Sequence, residues 1–200
     1  MRIVYNFFFC KYIYIPGIVL GFSEINNSFL IDLYKKINFE LGEDLIELDK
    51  IPHISLMRIQ KNFNDSTIKS IENDLNSKNI NNIKINIKSV GIFKKDKDKF
   101  VLFLTPDYDK NFKNVHKEVW NLFNKKLDLL QEKYYSPESY SPHLTIPIKN
   151  PTKKNINLIL NKLLDYDLQF NLNTKSILFI NTSKETNKTI IHIRKDLNIQ

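Results

Sequence analysis

Cysteine is almost missing from this chain of 200 residues: Cys10 is the single one. One thiol cannot close an intrachain disulfide, and no cysteine-based metal cluster can form. A reducing compartment is the simpler expectation. Arginine is nearly as scarce. Arg2, Arg58 and Arg194 are the only three, and every other basic residue, of 30 in all, is lysine. Lysine, asparagine and isoleucine crowd the chain as an AT-rich genome would impose on almost any protein. The formal charge of +8 therefore permits a polyanionic partner such as RNA without demanding one. No Walker-type loop, Gly-rich dinucleotide fingerprint or His/Cys/Asp/Glu zinc spacing is present, so no metal and no cofactor is expected. No long apolar run suits a membrane span. The first 22 residues, Met1 to Phe22, are rich in Phe, Tyr and Ile, but Lys11, Pro16 and Gly17 interrupt them and no small-residue cleavage site follows. They read as a first buried strand, and no membrane partner is expected. No Gly/Ser linker divides the chain, which predicts one compact domain over residues 1–200.

What is present is a globular composition, 42% hydrophobic and 12% aromatic. Helical spacing appears at Phe29, Leu30, Leu33, Tyr34 and Ile37, and a strand pattern follows at 52–59. A second helix begins near Ser66 and runs through Ile68, Ile71 and Leu75. Strands at 83–93 and 100–105 bracket a charged turn, Lys94 to Lys99. The pattern then recurs: a helix with Phe112, Val115, Val119, Leu122, Phe123 and Leu127, a strand at 143–148, a helix at 155–164 preceded by Pro151 and Thr152, and strands at 176–181 and 189–194. The shift is close to 90 residues, from His53 to His143. Two helix-strand-helix-strand-strand units predict two pseudo-symmetric lobes, repeats of about 29–105 and 112–195.

The centres of the repeats are nearly one peptide: Pro52-His53-Ile54-Ser55-Leu56 and Pro142-His143-Leu144-Thr145-Ile146. Strand side chains alternate, so His53 and Ser55 share one face and Ile54 and Leu56 the other, and likewise for the second peptide. The aliphatic pair anchors each strand, and the imidazole and hydroxyl are presented on the open face. A histidine two residues before Ser or Thr is cheap by itself. The shared proline, the shared aliphatic positions and the matching place in each repeat are not. Breaking a phosphodiester needs one proton removed from the attacking oxygen and one given to the leaving oxygen. Two imidazoles with ordinary pKa near 6.5 can hold opposite protonation states near neutrality. Hydroxyls beside them can hold the non-bridging oxygens.

These paired motifs resemble the 2H phosphoesterase superfamily, which includes 2′–5′ RNA ligase-like proteins, 2′,3′-cyclic phosphodiesterases and U6 RNA end-processing enzymes. The likeness spans nearly the whole chain and takes in Gly91-Ile92-Phe93 and the block Tyr140 to Thr145. It implies an α+β, bilobal duplicated fold, two antiparallel sheets flanking a central groove with helices outside. It further implies that His53 and His143 are catalytic and that Ser55 and Thr145 bind phosphate, in a metal-independent phosphodiesterase of RNA ends or 2′,3′-cyclic phosphates. Lys99 is the only candidate for a basic residue often found on the strand after the Gly-x-Phe stretch. Met57 and Arg58, after the first motif, match no particular subfamily.

The expected partner is RNA or an oligonucleotide, and the protein is expected to be a cytoplasmic monomer, or nuclear in a eukaryote. Two alternatives stay open: a phosphodiesterase of 2′–5′-linked or cyclic oligonucleotide signals, and an inert RNA-binding module. Tyr135 and Tyr140, with Tyr134, precede the second motif on an expected loop, where a base can stack on them. His116 reads as an exposed helix residue, and His192 as solvent-facing beside Arg194 on the last strand.

Overall fold

A computed structural model describes residues 16–60, 63–96, 99–130, 132–182 and 188–198. Most of the apolar N-terminal stretch, residues 1–15, thus lies outside the described residues, and the strand expected there is described only from Gly17. In chain order the elements are β1 (Gly17–Phe22), α1 (Glu24–Leu41), β2 (His53–Arg58), α2 (Asp65–Asn76), β3 (Lys84–Asp96), β4 (Lys99–Pro106), α3 (Lys110–Phe123), α4 (Glu132–Tyr135), β5 (Leu144–Thr145), α5 (Lys153–Leu164), β6 (Phe170–Thr182) and β7 (Thr189–Asp196).

The long helices start where the sequence supplies a cap. Ser23, Asn64, Asp109 and Thr152 each accept a hydrogen bond from the backbone N–H three residues on, satisfying a donor that the first turn leaves open. α1 stops at Gly42, whose φ of 63° is the left-handed conformation glycine tolerates. α3 ends at Phe123, short of Leu127, which is only half-buried beyond the cap at Asn124. Of the strand expected at 143–148, only Leu144 and Thr145 remain in strand pairing. Pro142 and Pro147 bracket it, and neither has an N–H to give a ladder. Pairing in the β3–β4 hairpin, by contrast, reaches Asp96 opposite Lys99, well into the charged stretch expected as a turn.

All strand pairs are antiparallel and join in the order β1-β2-β5-β4-β3-β6-β7. β1 also pairs with β6, so the first six strands of that order close on themselves. One large core takes Ile54, Leu56, Leu144 and Ile146, each at most 2% exposed, together with Tyr34, Ile37, Phe112, Val119, Phe123, Ile156 and Ile159 from the helices. Val19, Leu178 and Ile180 form a separate small cluster. Register puts Val19 across from both Leu178 and Ser55, so this cluster lies on the motif-bearing face, opposite the core. Among the described residues no helix is long and apolar enough to cross a membrane.

Candidate active site

The two motifs meet at one register pair, Ile54 of β2 opposite Leu144 of β5. In an antiparallel pair one step either way sets His53 beside Thr145 and Ser55 beside His143. Each imidazole therefore faces the other motif's hydroxyl, on strands about 4.8 Å apart. Both aliphatic partners point to the core and hold the pairs outward. His53 and His143 are half-buried, Ser55 is buried and Thr145 is exposed.

Each ring is also oriented from behind, in the same way. His53 Nδ1 lies 2.8 Å from the carbonyl of Ile51, and His143 Nδ1 lies 3.0 Å from the carbonyl of Ser141. A carbonyl only accepts, so Nδ1 carries the hydrogen and Nε2 is left for proton transfer. Loss of water pushes the His53 imidazole down to about 4, against the bond to Ile51, with Arg58 and His143 adding positive charge nearby. The His143 imidazole is lowered as well, first by burial and then by Arg58, again against its backbone bond.

Arg58 enters the site through a bulge that strand alternation does not anticipate. Along β1, Ile18 faces Met57 and the next residue, Val19, faces Ser55, so β2 carries one extra residue there. Leu56 and Met57 both turn to the core, fully buried. Arg58, paired with Gly17, returns to the face of Ser55 and His53. Gly17 permits the close approach, since a Cβ there would lie 2.9 Å from the Met57 carbonyl oxygen.

On the other side, β4 brings Phe103 across from Thr145 and Gly91. The Phe103 ring lies where a residue 91 side chain would be: a Cβ on Gly91 would come within 2.4 Å of it. In that space Phe103 stacks on Phe93 at 4.2 Å, and both rings meet the His143 imidazole edge-on, at 5.5 and 5.3 Å. Phe93 is 39% exposed, so an aromatic surface opens beside His143. Lys99 starts β4 at the far end of this hairpin, exposed.

The tyrosines and the other histidines are placed differently from expectation. Tyr135 and Tyr140 are buried, at 8% and 7% exposure, in an aromatic cluster with Tyr108, Phe112 and His116. Tyr140 stacks on His116 with ring centres 3.8 Å apart, which takes a face a base would need. His116 is not an exposed helix residue but wholly buried, its Nδ1 2.7 Å from the Tyr108 hydroxyl. The apolar face of α3 includes it because Phe112, Val115, Val119 and Trp120 surround it at helical spacing. His192 is half-buried rather than solvent-facing, its ring 5.4 Å from both Phe63 and Phe179. Among the described residues no group of three or more His, Cys, Asp or Glu is arranged to hold a metal ion.

The model of the 2'-5' RNA ligase superfamily matches residues 40–184, which include both motifs. No curated protein sequence matches the chain at a significant level. Among solved structures, E. coli LigT complexed with 3'-AMP superposes with a TM-score of 0.61 at 8% identity, covering 92% of this chain and 98% of LigT. LigT complexed with phosphate gives 0.57 at 9% identity, with the same coverage. TT0787 of Thermus thermophilus gives 0.60 at 10% identity, covering 92% of this chain and 97% of that one. Identities this low speak for a shared fold alone. With the family model matched over most of this chain and this fold around the paired histidine motifs, the chain belongs to the 2'-5' RNA ligase superfamily, within the 2H phosphoesterases.

Proposed function

We propose that the protein is a metal-independent phosphodiesterase of RNA ends or 2′,3′-cyclic phosphates, with His53 and His143 as its acid–base pair. The observation that carries this reading is the mirrored pair of Nδ1–H bonds to the carbonyls of Ile51 and Ser141. Both rings are thereby held in one tautomer, with Nε2 left to exchange a proton. On a 2′,3′-cyclic phosphate, one imidazole takes the proton of an attacking water as its oxygen bonds to phosphorus. The bond from phosphorus to one ribose oxygen breaks, and the second imidazole gives that oxygen its proton. Ser55 and Thr145 donate to the non-bridging oxygens, and the Arg58 cation offsets their charge. Phe93, half-exposed beside His143, is the surface on which a base stacks in place of the buried Tyr135 and Tyr140. Each of the two repeats, 29–105 and 112–195, contributes one histidine–hydroxyl pair, and their strands interleave in the sheet, β5 lying between β2 and β4. LigT, of similar fold, has been crystallised with phosphate and with 3'-AMP.

The test is a substrate panel of 2′,3′-cyclic mononucleotides, RNA with a cyclic phosphate end, and 3′–5′ and 2′–5′ dinucleotides, with products identified by mass after exhaustive EDTA treatment. Turnover of a cyclic phosphate or an RNA end without metal is expected. Turnover restored only by added zinc, manganese or magnesium would move the protein to a metal-dependent class.

A further inference from the structure

Beneath the site lies a buried polar chain that the two-histidine reading leaves without a task. Tyr140 donates its hydroxyl hydrogen to the Ser55 carbonyl at 2.7 Å, both residues being buried. That carbonyl sits beside the bulge of β2, where the pairing with β1 slips by a residue, and β5 supplies β2 with a single register pair. The phenol hydroxyl gives β2 an anchor where its own ladders are weakest. From Tyr140 the chain runs directly to Ser141, whose carbonyl orients His143. One end of Tyr140 thus holds the first motif, and its backbone leads into the second.

The ring itself is fixed. His116 stacks on it with an interplanar angle of 24°, and Tyr108 meets its edge at 5.4 Å. His116 is placed by the Tyr108 hydroxyl at Nδ1. Nothing in the proposed proton transfers uses Tyr108, His116 or Tyr140. Tyr140 joins β2 to the peptide before β5, and Tyr108 and His116 hold its ring.

Resting on the two-histidine reading, we propose that Tyr140 is a positioning residue: its hydrogen bond to the Ser55 carbonyl sets the spacing between the His53–Ser55 pair and the His143–Thr145 pair. Proton removal and proton donation happen at opposite sides of one phosphorus, so the two rings must be held at a set separation. A displacement of about 1 Å is worth up to roughly 100-fold in rate.

The experiment compares Tyr140→Phe, which keeps the ring and removes the hydroxyl, with Tyr34→Phe. Tyr34 is a buried tyrosine of the core whose hydroxyl has no hydrogen-bond partner among the described residues. Each variant is assayed well below its Tm on the substrate the wild type turns over. Tyr140→Phe should lower kcat about 10-fold or more with KM held within about twofold. It should also change the separation of the two limbs of the pH–rate profile, because coupling between two imidazoles depends on their distance. Tyr34→Phe should do neither. A folded Tyr140→Phe with wild-type kcat and limbs overturns the proposal, as does a loss of rate that follows Tm while the limbs stay in place. Should Tyr140→Phe not fold, Tyr108→Phe loosens the stack one step away. It should give a smaller fall in kcat with the same movement of the limbs, and unmoved limbs would again overturn the idea. His53→Ala and His143→Ala, assayed alongside, separate the failures. If they are inactive and Tyr140→Phe is normal, only the positioning role falls. If they are active, the two-histidine reading falls with it.

Discussion

Ile54 and Leu144 face each other across β2 and β5, both with no exposure to solvent, and they are the one residue pair through which these strands are in register. Their burial fixes the orientation of the residues on either side. The hydrophobic pair is therefore what places His53, Ser55, His143 and Thr145 on one open face, each imidazole next to the other motif's hydroxyl. Slipping either strand by one residue would turn its own histidine and hydroxyl into the core.

Replacing either imidazole should remove most turnover while leaving the fold. Neither ring belongs to the core, and loss of an acid–base partner is typically worth a factor of about 10² to 10⁴. His53→Ala and His143→Ala should each lose that much in kcat with an unchanged circular dichroism spectrum, whereas Lys69→Ala, on the exposed side of α2, should not. Near wild-type rates in both histidine variants would dismiss the acid–base pair.

The pH dependence should differ between kcat/KM and kcat. In the free protein the His53 imidazole is pushed down to about 4 and that of His143 is lowered too, so the form with one ring protonated prevails only in acid. kcat/KM, which reports the free enzyme, should then peak below the ordinary imidazole value. A bound phosphodiester brings a negative charge that favours imidazolium, so the bell in kcat should move to higher pH. Both limbs belong to the pair and not to single rings. Coincident bells centred above neutrality would contradict this.

Arg58 lowers both imidazoles by its charge, and its removal has a sign that can be checked. Arg58→Ala should raise KM, through loss of a cation for phosphate, and should shift the kcat/KM profile upward in pH, because both rings then protonate more easily. A KM change with no shift of the profile would place Arg58 away from the rings.

Gly91 should tolerate no side chain. Gly91→Ala puts a Cβ against the Phe103 ring at 2.4 Å, and overpacking of this kind typically destabilises by about 1–3 kcal/mol. Since Phe103 and Phe93 both pack on the His143 ring, kcat should fall along with the urea midpoint. Gly91→Ala together with Phe103→Leu should recover part of both, and failure to recover either would mean that the clash is relieved elsewhere.

His116 should make the fold sensitive to acid. Burial lowers its imidazole from 6.5 to about 4, a difference of about 3 kcal/mol between folded and unfolded chains. The folded state prefers the neutral ring, so this stability is fully present above pH 6.5 and is lost as pH falls from there towards 4. Urea titrations across that window should show a weaker pH dependence for His116→Phe than for the wild type. Equal slopes would show that other groups carry the acid sensitivity.

Much of this protein is determined by local chemistry that a sequence displays directly. Alternation in Pro-His-Ile-Ser-Leu and Pro-His-Leu-Thr-Ile separates core from site, and caps such as Ser23 and Thr152 mark where helices begin, because both depend only on near neighbours. The α+β layout of helices and antiparallel strands follows from the same signals. Tertiary structure decided what depends on distant partners. The bulge that returns Arg58 to the site exists only in the pairing of β2 with β1. Phe103 reaches His143 only because a glycine on another strand leaves room for it. His116 is a titratable residue beside Lys117 and Glu118, in a stretch that reads as polar. Its burial depends on Tyr108, which bonds Nδ1, and on Tyr140, which covers the ring face, both brought from other parts of the fold. Tyr140, directly before a loop-like Ser-Pro, looked free to bind a base. It is held inside because the Ser55 carbonyl, 85 residues away in the chain, accepts its hydrogen bond.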